Sequence, residues 1–416
     1  MDRREFLATA ALTSLSFFIP GVRGWAFSGR EDPANKKLIV ILLRGGVDGL
    51  NVVAPYGDST YYSIRPTIAL AKPGTGNGAI DLDGHFGLHP ALAPLMPYWK
   101  SKSLAFVHAS GSPDPSRSHF DAQDYMESGV PGQKFVTSGW LNRLVSSLPN
   151  KNSPVQAISF GPVLPRIFSG PFNVATVEAQ GDKPKPIPMD HPVISQSFQD
   201  LYAGRNDYLS KAFAEGISAH KTINNALYAP QEKLDLEQVA ANRGAPLPKN
   251  FRGFGTQLAN LFRKDASIQV AFMDLGGWDT HVNEGNGAGQ LASHLAPLGS
   301  GLADLCQVLG PLYRNTTVIV MSEFGRTAHE NGNGGTDHGH GNVMWVLGGE
   351  VPGGKVYGRW PGLATKDLNE GRDLQTTTDL RSVLTWTLGE QMMRSRKDLE
   401  RIFPDFSDKA SPFVST

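Results

Sequence analysis

Five continuous apolar runs, each closed abruptly by glycine or a polar cluster, constrain this chain more than any other feature. They are KLIVILLRGG (37–46), SLAFVHASG (103–111), SIQVAFMDLGG (267–277), TTVIVMSEFG (ending at Gly325) and VMWVLGG (343–349). A strand with one wet face alternates apolar and polar residues. These runs do not, so they suit strands covered on both faces, as in a parallel sheet. Helix candidates lie between them at 89–102, 250–265 and 294–314. The alternation predicts an α/β fold, an open, mostly parallel sheet with helices on both faces, over a body spanning 36–405. The polar stretch 176–250, which contains GDKPKPIPMDHP, reads as a partly helical insertion.

The polar clusters fall where such a sheet binds ligands, in the crevice outside the carboxyl ends of its strands. Asp48 follows the first run, Ser116, Ser118 and His119 the second, Asp279 and His281 the third, and Glu323 the fourth. His338 and His340 occupy the glycine-rich loop between the fourth and fifth runs. Aspartate, glutamate and neutral imidazole together are ligands for zinc, manganese or a similar divalent ion, and imidazole argues against calcium. The expected metal set is therefore Asp48, Asp279, His281, Glu323, His338 and His340, holding one or two ions. His108 ends the second run and is placed to line the same site.

Charge and cysteine content narrow the function classes. Lys plus Arg equal Asp plus Glu at 39 each, so no global basic field gathers nucleic acid, and a charged ligand must be held locally. The 416 residues, 40% hydrophobic, suffice for a large core. Cys306 is the single cysteine, which excludes an intrachain disulfide and cysteine-based zinc modules. There is no Gly-x-Ser-x-Gly elbow and no nucleotide-type phosphate loop.

The first 26 residues resemble a twin-arginine export signal: Arg3 and Arg4, then Phe6 and Leu7, a short apolar stretch, a Pro-Gly break and the small residue Ala26. The apolar stretch is shorter than the roughly 20 residues that span a bilayer, and no later segment is long and apolar enough. The expectation is a periplasmic or extracellular protein with no stable membrane span, whose partner during export is the twin-arginine translocase.

Four motifs in order, LLRGGVDGLN, SRSHFDAQDYMESG, GGWDTH and SEFGRT followed by DHGHGN, resemble the secreted bacterial family called domain of unknown function 1501. That family is similar in turn to the alkaline phosphatase and sulfatase superfamily, so the resemblance implies an alkaline phosphatase-like fold. It also implies a role for each motif residue. Asp48 matches the first-strand metal ligand, Glu323 the acidic residue of a Ser-Asp-His-Gly motif, and His338 or His340 its late histidine. Asp279 with His281 matches an aspartate and histidine pair, with Asp274 as the alternative aspartate. Ser118, or Ser116 two residues upstream, matches the nucleophile. Arg117 is placed to hold an oxyanion, and His119 to act beside them or to replace a lost ligand. Phe324 stands where the superfamily motif has histidine, and the spacing in DTH is tighter than in the superfamily's pair.

The implied activity is hydrolysis of a phosphate or sulfate ester, small or polymeric, assisted by one or two divalent ions. The alternative is a cell-envelope binding or assembly protein that keeps the fold and a metal but performs no turnover.

Overall fold

The computed structural model describes residues 32–149, 153, 155–161, 163–177, 210, 241–243, 245–407 and 412–413. The export signal and nearly all of the expected insertion lie outside these residues. Among the described residues one large sheet is built from β1 (Lys37–Leu43), β2 (Leu104–Gly111), β3 (Ala157–Phe160), β4 (Ala175–Val177), β5 (Val270–Leu275), β6 (Thr316–Ser322), β7 (Asn342–Gly348), β8 (Lys355–Tyr357) and β9 (Thr378–Asp379). Its order is β8-β2-β7-β6-β1-β5-β3-β4, with β9 also paired to β2.

Every ladder is parallel except the two made by β7, which runs against both β2 and β6. The run VMWVLGG does not show this direction, because unbroken apolarity reports only that both faces are covered, and β7 is buried throughout. Strands β3, β4, β8 and β9 are too short to give a run of their own.

The described helices include α1 (His119–Ser128), α2 (Trp140–Val145), α3 (Phe251–Lys264), α4 (Gln290–Leu309), α5 (Leu380–Trp386) and α6 (Arg396–Ile402). The period of two in β1 divides them into two layers. Ile39, Ile41 and Leu43 face a core shared with Phe254, Leu258 and Phe262 of α3 and Leu298, Leu302 and Leu305 of α4. Leu38, Val40 and Leu42 face Trp140 and Leu144 of α2, Val383 and Leu384 of α5 and Ile402 of α6. In α3 the buried positions 254, 258, 261 and 262 recur at helical spacing, and Arg263 and Lys264 sit in the last turn where the helix dipole favours cations. Truncating a fully buried leucine here, such as Leu302→Ala, costs about 2–5 kcal/mol.

The reversed β7 decides where the functional loop lies. A loop between parallel strands must cross the sheet, whereas residues 323–341 leave β6 and enter β7 at the same edge. Asn342 ties that edge together, its Nδ2 donating to Val47 O at 3.1 Å and Phe324 O at 2.6 Å. The loop after β1 approaches through two glycines. Gly45 has φ +120° and a Cβ there would lie 2.6 Å from Asp279 N, while at Gly46, φ +72°, it would lie 2.5 Å from the Phe324 ring.

Candidate metal centre

Three imidazoles converge on one carboxylate at this edge. His119 opens α1 after β2, Asp279 and His281 lie in the loop after β5, and His338 lies just before β7. His338 Nε2 is 3.1 Å from both His119 Nε2 and His281 Nε2. Asp279 Oδ1 is 2.9 Å from His281 Nε2 and 3.1 Å from His338 Nε2, and Asp279 Oδ2 is 3.5 Å from His119 Nε2. One ligand atom each from His119, Asp279 and His338 lies within 4.8 Å of the others, the spacing of groups that share an ion.

The outer nitrogens show which way the rings are set. His338 Nδ1 lies 3.0 Å from Arg117 O, and a carbonyl only accepts, so the proton is on Nδ1 and the Nε2 lone pair faces the cluster. His119 Nδ1 lies 2.9 Å from Glu323 Oε1, which sets that ring the same way. Two imidazole lone pairs 3.1 Å apart repel, so either a proton on His119 Nε2 or a cation must lie between the rings. The donor set therefore fits a divalent ion.

Glu323 is itself buried and held by Gly45 N at 2.8 Å, Gln123 Nε2 at 2.9 Å and Ser322 Oγ at 3.1 Å. Burial works against its charge, but His119 and Gln123 hold the carboxyl down at about 2. Burial also disfavours charge on His119, yet hydrogen bonds to Asp279 and Glu323 push it up to about 9. Asp279 is held far below the ordinary carboxylate range, burial being outweighed by His119, His281, His338 and the buried Arg326, whose Nη1 lies 2.7 Å from Oδ1. Asp279 thus keeps its negative charge and His119 its proton, and an ion binding here would take that proton's place. Solvent reaches the cluster past His281, whose side chain is 36% exposed, while that of His119 is only 12% exposed.

A family profile described as a protein of unknown function, DUF1501, matches residues 85–403, which include all four of these side chains. The chain belongs to the DUF1501 family. No curated protein matches it. Solved structures to which this DUF1501 chain is similar include Ps i-CgsB in complex with k-i-k-neocarrahexaose, 11% identical, TM-score 0.41, covering 88% of this chain and 74% of that one. They also include the C-terminal periplasmic domain of EcEptC from Escherichia coli, 10% identical, TM-score 0.41, covering 93% of both chains. The alkaline phosphatase from the Antarctic bacterium TAB5 is 13% identical, TM-score 0.32, covering 76% of this chain and 92% of that one.

Other residues of the expected set lie apart from the cluster in the DUF1501 chain. Asp48 is buried in a fork with Arg65 and close to Glu284. Burial would raise the Asp48 carboxyl, but Arg65 lowers it, whereas burial and Asp48 together push Glu284 well above the carboxylate range. Glu323 stands behind His119 and does not meet Asp279. His340 turns to a second group, its Nδ1 2.8 Å from Asp373 Oδ2 and its Nε2 2.9 Å from Pro115 O. Arg117 joins that group through Nε and Nη2 to Asp373 Oδ2, and Nη2 also donates to Glu370 Oε2 at 2.7 Å. Asp274 accepts from Arg44 Nε at 2.6 Å and helps line a cleft of about 260 Å³ with Arg166 and Arg243. His108 lies buried between Val53 O and Ala109 N.

Ser118 takes the N-cap position of α1 without a side-chain cap bond and is exposed, next to His119 in sequence. Ser116 Oγ accepts from Ser118 N at 3.2 Å. Sequence patterns left Arg65, Arg326, Gln123, Glu284 and Asp373 unnoticed. Arg326 and Asp373 sit in polar loops whose partners are supplied only by the folded chain.

Proposed function

We propose that this chain is an exported, metal-dependent hydrolase of phosphate or sulfate esters. The observation that carries the reading is the set of three Nε2 atoms turned toward the Asp279 carboxylate. His119, Asp279, His281 and His338 would hold the ion, and three imidazoles with one carboxylate suit zinc or manganese. When bound, such an ion polarises an ester oxygen and neutralises the charge that builds on it.

The chain's own residues supply the rest. Ser118 Oγ is free of a capping bond and sits at the positive end of α1, beside a ligand. It would form the new bond to phosphorus or sulfur as the alcohol's oxygen leaves, and water would then cleave that serine ester to release phosphate or sulfate and restore the hydroxyl, with protons exchanged through solvent. Arg117 Nη1 makes neither of the bonds to Asp373 and Glu370, and is the donor we assign to a transferring oxyanion.

A second reading has its own support. Phe324 packs against His119 and His338 with ring centroids 4.8 and 5.0 Å away, and two carboxylates already engage Arg117. Both features suit an envelope protein that binds an ion or an anion without turnover. A panel of phosphate and sulfate esters, assayed with zinc, manganese, magnesium and calcium in turn, separates the two. Hydrolysis by the wild type that Ser118→Ala abolishes supports the enzyme, and no hydrolysis of any ester supports the binding protein.

Export is part of the proposal. Changing Arg3 and Arg4 together to lysine should leave the precursor in the cytoplasm, and mature protein appearing outside the membrane as before would refute the twin-arginine route. Among the described residues no helix is long and apolar enough to cross a membrane.

A further inference from the structure

We infer that the centre takes a single ion, because the charge on Asp48 is already met by the guanidinium of Arg65 and a phenyl ring separates that loop from the histidines. This rests on the metal reading above and goes beyond it by fixing the number of ions.

Asp48 lies in the loop that follows β1, where its sequence position marks it as a ligand, yet its carboxylate is fully buried and engaged. Arg65 Nη1 donates to Oδ2 and Nη2 to Oδ1, the latter at 3.1 Å, in a two-pronged fork. The rest of the guanidinium is equally occupied. Nε donates to Ala328 O at 2.8 Å, Nη2 to Thr327 O at 2.8 Å, and Nη1 to Asn51 Oδ1 at 3.1 Å. Arg65 is 0% exposed, so the pair has no water to fall back on, and separating it would strand two buried charges.

Glu284 closes the other side. It is 0% exposed and accepts from Asn51 Nδ2 at 3.2 Å, Thr280 Oγ1 at 3.0 Å and Thr336 Oγ1 at 2.9 Å. A metal ion entering here would have to displace a fixed guanidinium, which cannot give up its charge by losing a proton.

Phe324 completes the separation. Its ring is close to Gly46 and to the His119 and His338 rings, and offers no ligand atom. Arg326 adds a second permanent cation, its Nη1 2.7 Å from Asp279 Oδ1, which would repel a further ion there. Electrostatic repulsion and a hydrocarbon wall thus both oppose a second ion.

The test is a metal count on the full chain. Wild-type protein is loaded with zinc, cleared of loosely held metal by a weak chelator, and examined by native mass spectrometry with elemental analysis alongside. One ion per chain is expected, and Asp48→Asn, where it folds, should keep that ion while His338→Ala loses it. Two ions per chain in the wild type overturn the inference and leave the metal reading standing, and so does loss of the ion in folded Asp48→Asn. No ion in folded wild type overturns the metal reading itself, and the inference with it. The wild-type count needs no variant, so a failure of Asp48→Asn to fold leaves the inference open to refutation.

Discussion

Glu323 Oε1 sits 2.9 Å behind His119 Nδ1, so the far nitrogen of that imidazole is the one turned to Asp279. Outer partners of this kind typically tune metal affinity by 10–100-fold. Glu323→Gln should therefore weaken zinc binding by roughly that factor while the ion count at saturation stays the same. Competition with a chromophoric chelator measures it, and an unchanged affinity would remove His119 from the ligand set.

His338→Ala and Asp279→Ala should each strip the ion and abolish the rise in melting temperature that zinc or manganese gives the wild type. Differential scanning calorimetry with and without metal reads this directly. A metal-dependent shift that survives both changes places the ion elsewhere.

Ser118→Ala should remove ester hydrolysis and leave stability within about 0.5 kcal/mol, since this hydroxyl makes no capping bond and is exposed. Urea midpoints and turnover on the same preparation check both halves. If Ser116→Ala abolishes an activity that Ser118→Ala spares, the nucleophile is two residues upstream.

Arg65→Met should cost about 3–5 kcal/mol, because it leaves the Asp48 carboxylate buried without its partner. Denaturant unfolding with unchanged m-value is the measurement. A loss below 1 kcal/mol would show that the fork contributes little.

Acid should destabilise the fold through two neutral histidines. Burial lowers His108 and His89 to about 4, against backbone bonds to Val53 and Asn286 that favour charge. In both rings Nε2 faces a carbonyl and Nδ1 accepts a backbone N–H, from Ala109 or Ala91, so a second proton has no place. Their folded pKa lies below the unfolded one, so the unfolded chain binds more protons. The stabilisation is whole above about pH 6.5 and is lost as pH falls toward 4, by roughly 3 kcal/mol for each ring. His108→Gln, which keeps a donor and an acceptor but does not titrate, should flatten that dependence.

Much of this was legible in the chain itself. The abrupt ends of the apolar runs locate Asp279, His281 and His338 at one edge, because a covered strand can place polar side chains only where it stops. Which of these side chains meet in the fold could not be told by residue type. His338 and His340 are two residues apart in the same glycine-rich loop, and only the fold sends one to Asp279 and the other to Asp373. Asp48 carries a ligand's spacing, but its partner Arg65 lies in YSIRP, where nothing marks an arginine as bound for the interior. Phe324 was visible as a departure from the superfamily pattern, and its wedge between Gly46 and two imidazoles gives that departure a physical form.

The loops carrying His281 and His338 are stitched to each other by backbone bonds, Asn283 N to Asn333 O at 3.0 Å and Glu284 N to Gly334 O at 2.9 Å, whereas His119 rides on α1. An ion shared by the three would bolt that helix to a pair of already joined loops. In a chain with one cysteine, it would do for the sheet's rim what a disulfide does elsewhere, as a cross-link that forms without an oxidant and comes apart with a chelator.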